Sequence, residues 1–159
     1  GVQTCALPIL GGANMANVYE VAKYVLQHLG KMTTMKLEKE VYYCQAWSLA
    51  WDEKPLFSED FQAWANGPVC PELFYKHQGM FVVDESLFSD IPDGNFTEDE
   101  IETMDAVLNY YGKREPQWLS ELTHKEAPWK NARNGVPAGQ PCKEVITKES
   151  MAQYYGGLQ

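Results

Sequence analysis

Cys70 and His124 are the two side chains with which this chain could make a nucleophile, because a thiol becomes reactive when a neighbouring imidazole takes its proton. Nothing in the spacing of this sequence brings the two together, and no third residue stands out to orient the imidazole. Cys44 falls inside an apolar helical stripe, where a small thiol is an ordinary core residue. The cysteines Cys5, Cys44, Cys70 and Cys142 form no C-x-x-C pair, and His28, His77 and His124 lack zinc-finger spacing. They read as reduced thiols of a cytoplasmic protein. The sequence carries no phosphate-binding glycine loop, no H-E-x-x-H and no G-x-S-x-G, so no cofactor and no metal are expected. The acidic run Glu98, Asp99, Glu100 and Glu102 opens a predicted helix, where the helix dipole favours negative charge, and reads as a solvated face.

The chain that must position these groups has 159 residues, which suggests one domain able to bury a core without disulfides. Its net charge of -9 opposes a phosphate backbone, so direct nucleic-acid binding is not expected. The same charge would steer a basic partner, or simply keep the protein soluble. Aromatic residues make up 13% of the chain, with five Trp and nine Tyr. These supply large core pieces, and any left at the surface would anchor a partner. No apolar run reaches the roughly 20 residues needed to cross a membrane. Residues 1–14, which include "GVQTCALPIL", have neither helical periodicity nor a basic region. They read as a non-native extension, from a read artefact or an upstream reading frame, ahead of a single domain over residues 15–159.

Periodicity supplies the elements. Val18, Val21, Ala22, Val25, Leu26 and Leu29 repeat with helical spacing, between Asn17 as N-cap and Gly30 as stop. Residues 33–51, capped by Thr33 or Thr34, carry two apolar stripes: Leu37, Val41, Cys44 and Ser48, then Tyr43, Trp47, Ala50 and Trp51. Two stripes predict burial on more than one side, hence a central helix. Leu56-Phe57 and Phe61 to Trp64 flank the polar turn Ser58-Glu59-Asp60 and predict a β-hairpin, closed by Asn66-Gly67-Pro68. A short helix follows with Pro71 in its first turn. Residues 80–95 read as irregular, with a brief strand at Met80 to Val83. Thr97 and Glu100 have capping-box spacing ahead of Ile101, Met104, Val107, Leu108 and Tyr111. A shorter helix at 115–124 turns Trp118, Leu119 and Leu122 inward. Pro128, Gly135, Pro137, Gly139 and Pro141 then mark a loop. A last helix at the end of the chain is capped by Thr147. The fold class is mainly α, a compact helical domain with one small β-hairpin.

Four stretches resemble one family. "KLEKEVYYCQAWSLAW" at 36–51 is similar to a K-L-x-K-x-x-Y-Y-x-Q-x-W-x-L helix. "PLFSEDFQAWANGPVCPELF" at 55–74 is similar to a P-L-F…F-x-A-W-x-x-G-P-V-x-P-x-L-(Y/F) segment. "LSELTHKEAPWKNAR" at 119–133 is similar to an L-S-x-x-T-H-x-x-x-P-W-x-x-A segment, and "VITKESMAQYY" resembles the closing stretch. In order and spacing they resemble the Panacea domain, the SocA/GepA-like phage-associated proteins. The resemblance implies a mainly helical domain and an antitoxin, neutralising by direct binding a cognate protein toxin. Its motif residues here are Trp64, Asn66, Gly67, Pro68, Thr123, His124, Pro128 and Trp129.

Three readings follow. The first is a binding module that sequesters a toxin, with no catalytic role. The second, implied by the SocA branch, is a proteolytic adaptor with a cytoplasmic ClpXP-type protease as further partner. The third is a hydrolase using Cys70 or His124. Within the first, Trp64, Gly67 and Pro68 form a structural corner that fixes the hairpin, or touch the partner directly.

Overall fold

The computed structural model describes residues 15–158. The expected extension at residues 1–14, and Cys5 with it, lies outside the described residues.

Helix α1 (Val18–Leu29) forms where the apolar spacing predicts it. Asn17 Oδ1 accepts the Glu20 N–H and Glu20 Oε1 accepts the Asn17 N–H, each at 2.9 Å, which satisfies two donors that a helix start otherwise leaves open. After β1 (Met32–Thr33), the Thr33 hydroxyl caps α2 (Thr34–Trp47). Residues Leu37 to Ala46 of α2 are all buried, because α1, the short helix after the hairpin and the three longer helices that follow pack around it. This is the central helix that the two stripes predict. Its burial goes further than the stripes, since Glu38, Lys39, Glu40 and Gln45 are buried as well. The helix then widens into a π turn, Ser48–Asp52, which ends at Glu53 with φ 58°.

The hairpin is offset from its expected position. Strands β2 (Phe61–Trp64) and β3 (Gly67–Val69) pair antiparallel, with Trp64 opposite Gly67, so Ala65-Asn66 is the turn. Leu56 and Phe57 are buried but form no strand. The Gln45 side chain takes the place of a partner strand there: its Oε1 accepts the Leu56 N–H and its Nε2 donates to the Phe57 carbonyl, both at 2.8 Å. Polar backbone satisfied in this way needs no ladder.

Helix α3 (Pro71–His77) follows with Pro71 in its first turn. Strand β4 (Val82–Val83) pairs with β1, and a 3₁₀ turn covers Glu85–Phe88. Helix α4 (Glu98–Tyr111) carries the Thr97–Glu100 capping box and buries Met104, Val107, Leu108 and Tyr111, whereas Ile101 is exposed. Helix α5 (Pro116–Lys125) buries Leu119 and leaves Trp118 at the surface, against expectation.

The expected loop from Pro128 onward begins instead with helix α6 (Ala127–Arg133), because a proline at the start of a helix gives up no hydrogen bond. The Arg133 guanidinium then gathers the loop by donating to the carbonyls of Ala63, Pro137 and Gln140. Strand β5 (Val145–Ile146) adds a third strand beside β2, and α7 (Lys148–Gly156) closes the fold with Thr147 as its cap. The architecture is mainly α, with two small antiparallel sheets. No helix among the described residues is long and apolar enough to cross a membrane.

Candidate functional site

The family-motif residues converge on the hairpin turn. Asn66 at its tip is exposed, Trp64 and Ala65 are half-buried, and Gly67 to Cys70 are buried. Three backbone carbonyls around the turn each find a donor from a different element. The Trp129 indole on α6 donates to the Trp64 carbonyl at 2.8 Å, and the Ser120 hydroxyl on α5 donates to the Asn66 carbonyl at 2.8 Å. Lys39 on α2 donates to the Pro68 carbonyl at 3.1 Å. Thr123 is fully buried and donates within α5 to the Ser120 carbonyl. Buried carbonyls without donors would destabilise the corner, so these bonds fix the hairpin against three helices.

Gly67 has φ 118°, a conformation that side-chain-bearing residues resist. A Cβ there would lie 2.5 Å from Lys39 Cε and 3.0 Å from Thr123 Oγ1. The glycine of the motif is therefore required twice, by backbone angle and by space.

His124 stacks on Trp129 with ring centres 4.1 Å apart, and its Nε2 is buried without a hydrogen-bond partner among the described residues. Burial, followed by the Lys39 and Arg133 cations, holds its pKa below the ordinary imidazole value, while a backbone hydrogen bond at Ala65 acts the other way. Pro128 is buried in the first turn of α6 and faces Ser150 and Tyr154 of α7, away from the hairpin turn. Seven of the eight motif residues thus share one corner.

Beneath the corner lies a charged layer that sequence patterning passes over. Glu38 Oε1 accepts the Cys70 N–H at 2.9 Å, and Glu38 Oε2 lies 2.7 Å from His77 Nε2, both side chains being buried. The buried Lys39 amine is pulled down to about 8 by desolvation, with Glu38 opposing the shift. Lys39 and Gln45 both stand in the K-L-x-K…Q motif, which is the one signal that could have marked them as more than a solvated face. Glu38, Lys39 and His77 line a groove of about 310 Å³ together with Met35, Trp64 and Phe74. The Trp64 and Phe74 rings meet edge to face at 4.9 Å.

The Cys70–His124 pair does not form. The Cys70 thiol donates to Glu72 Oε1 at 3.5 Å, and no hydrogen bond joins it to His124 among the described residues. Burial raises the thiol well above its ordinary value, and the carboxylates of Glu38 and Glu72 raise it further. A nucleophilic cysteine needs the opposite surroundings. Cys44 is buried, as the stripe containing it predicts, and burial raises its thiol too. Among the described residues no group of three or more His, Cys, Asp or Glu side chains is placed to hold a metal ion.

No curated protein matches this chain, and no solved structure does. A family model does match: the antitoxin SocA-like Panacea domain aligns with residues 37–130, from the central helix through the hairpin corner to α6. The match spans more than half of the chain and contains every residue that builds the corner, so the chain belongs to the SocA-like Panacea antitoxin family.

Proposed function

We propose that the protein neutralises a cognate protein toxin by binding it directly, and that the groove at the hairpin corner takes part in the contact. Family membership supports the antitoxin role. The single observation that supports the face is the exposure of aromatic residues around the groove. Phe81 is 77% and Tyr75 70% exposed. The Tyr75 ring packs edge-on to the groove-lining Phe74, and the Phe81 carbonyl accepts the N–H of Thr34, which also lines the groove. Large apolar side chains left in water beside a concave surface mark an interaction site, and aromatic residues carry much of the energy of such contacts. On this reading the corner has two layers. Trp129, Thr123 and Gly67 hold its shape from within, and Trp64 and Asn66 meet the partner.

The test is growth of bacteria expressing the neighbouring reading frame with and without this protein. Rescue from toxicity establishes the antitoxin role, and a toxic neighbour without rescue removes it. A second arm carries Trp64→Ala, Tyr75→Ala and Phe81→Ala. Retained melting temperature with lost rescue supports the face, and full rescue excludes it. The half-life of the toxin in the same cells separates sequestration from delivery to a protease: sequestration leaves it unchanged or longer, and delivery shortens it.

A further inference from the structure

A second groove, of about 520 Å³, lies between α4, α5 and the π turn. Its walls are aromatic. Trp47 and Trp51 pack at 4.8 Å, the Trp47 indole donates to the Tyr111 hydroxyl at 2.9 Å, and Tyr110 and Trp118 complete the aromatic lining. The wide π turn is what brings Trp51 round to this face, one residue before Asp52. Trp51, Tyr110 and Trp118 are 44%, 54% and 37% exposed, so three large rings that the core does not absorb line this one groove.

The groove also has a charge pattern. Glu126, at the junction of α5 and α6, lines it. Glu126 Oε1 accepts the hydroxyls of Tyr43 and Tyr155 at 2.8 and 2.7 Å, and its Oε2 has no hydrogen bond among the described residues. Asp52, which follows the groove-lining Trp51, accepts the Thr103 hydroxyl at 2.7 Å. Glu102 is exposed one helical turn before Ala106, which lines the groove. The structure already shows what two of these rings hold. The Arg114 guanidinium sits 4.5 Å from the Trp118 ring centre and 5.0 Å from that of Tyr110. Its Nε is buried without a partner among the described residues, so the aromatic faces are its principal contact there.

Indole and phenol faces attract cations, the more so where water is excluded. Aromatic walls, a carboxylate in the lining, acidic residues adjoining it in sequence and a net charge of -9 are together complementary to a cationic side chain with apolar neighbours. We propose that this groove docks an arginine- or lysine-bearing segment of a protein partner, with the cationic head among the rings beside Glu126. The proposal rests on the reading of the protein as a toxin-binding module and adds a second contact, apart from the hairpin corner.

The probe is a short fluorescein-labelled peptide of repeated Gly-Leu-Arg units, titrated with the full chain, beside a counterpart in which neutral citrulline replaces each arginine. The arginine peptide is expected to bind roughly tenfold or more tightly than the citrulline peptide. Trp51→Ala and Trp118→Ala, both at exposed positions, should weaken it by a similar factor with the melting temperature unchanged. Arg114→Ala frees the ring faces and should tighten binding several-fold, whereas Lys113→Ala, which removes the same charge from an exposed neighbour, should not. Equal affinity for the two peptides would overturn the proposal, as would groove variants that bind like the parent, or an equal gain from Arg114→Ala and Lys113→Ala. Free arginine amide binding as tightly as the peptide would make the groove a small-cation site and overturn docking. Because the probe is not the toxin, peptide binding can fail while growth rescue succeeds, which removes the groove and leaves the antitoxin role.

Discussion

The Trp129 indole N–H donates to the carbonyl oxygen of Trp64 at 2.8 Å, joining the start of α6 to the end of β2 across 65 residues of sequence. Trp129 is buried and also carries the stacked His124 ring. Replacing it by Phe keeps an aromatic ring beside His124 but removes the donor and part of the indole's packing, leaving the Trp64 carbonyl unsatisfied. Trp129→Phe is expected to cost about 1–3 kcal/mol in urea unfolding. A cost within error of zero would mean that water replaces the bond, and that the corner is held by its other two donors, Ser120 and Lys39.

Gly67 is the second point at which the corner resists change. A methyl group at φ 118° is strained in itself and meets Lys39 and Thr123 as well. Gly67→Ala should destabilise the fold by roughly 1–3 kcal/mol from backbone strain, and by more if Lys39 cannot move. Gly79 serves as the control, because it also has positive φ but has nothing among the described residues within 4 Å of an added Cβ. A Gly67→Ala cost no larger than that of Gly79→Ala would show that the packing under the hairpin is loose.

The contact between Glu38 and His77 gives a third prediction. Both side chains are buried and 2.7 Å apart, so removing one strands the other. His77→Leu is expected to cost about 3–5 kcal/mol. Adding Glu38→Gln removes the stranded charge and keeps an oxygen to accept the Cys70 N–H, so the double variant should recover part of the loss. The coupling in the double-mutant cycle should exceed about 0.5 kcal/mol. Strictly additive losses would mean that the two residues stabilise the fold independently.

The helices were legible because apolar period and caps agree. Asn17, Thr33, Thr97 and Thr147 each accept the backbone bond that their position predicts. The hairpin register was not legible, because what satisfies Leu56 and Phe57 is a side chain, Gln45, on another element. Helix α6 was hidden because proline reads as a breaker until its place in the first turn is known. At the site, the motif residues could be named from the sequence, but their shared corner depends on contacts between α2, α5, α6 and the hairpin. Glu38 and His77 gave no local signal, and Lys39 gave one only through its place in the K-L-x-K…Q motif. Charged residues on a helix read as solvent-facing unless the helix is buried on every side, and that is a property of its neighbours.

Glu40 makes that same burial measurable. It lies on α2 at 0% exposure, and neither carboxylate oxygen has a hydrogen-bond partner among the described residues. Desolvation pushes its pKa from 4.5 up to about 8, and Lys36, one turn earlier, offsets only part of this. The folded chain therefore keeps a proton on Glu40 between pH 4.5 and 8, where the unfolded chain has released it. Stability from this group is fully present below pH 4.5 and is lost as the pH rises through 8. The parent should lose on the order of a few kcal/mol relative to Glu40→Gln between pH 5 and 8. Lys39 shifts the opposite way, but its window lies above pH 8, so the difference between parent and variant over pH 5 to 8 isolates Glu40. The measurement is urea unfolding of both proteins at closely spaced pH values. Parallel curves would show that Glu40 titrates normally in the fold, and that water or a shifted Lys36 reaches its carboxylate.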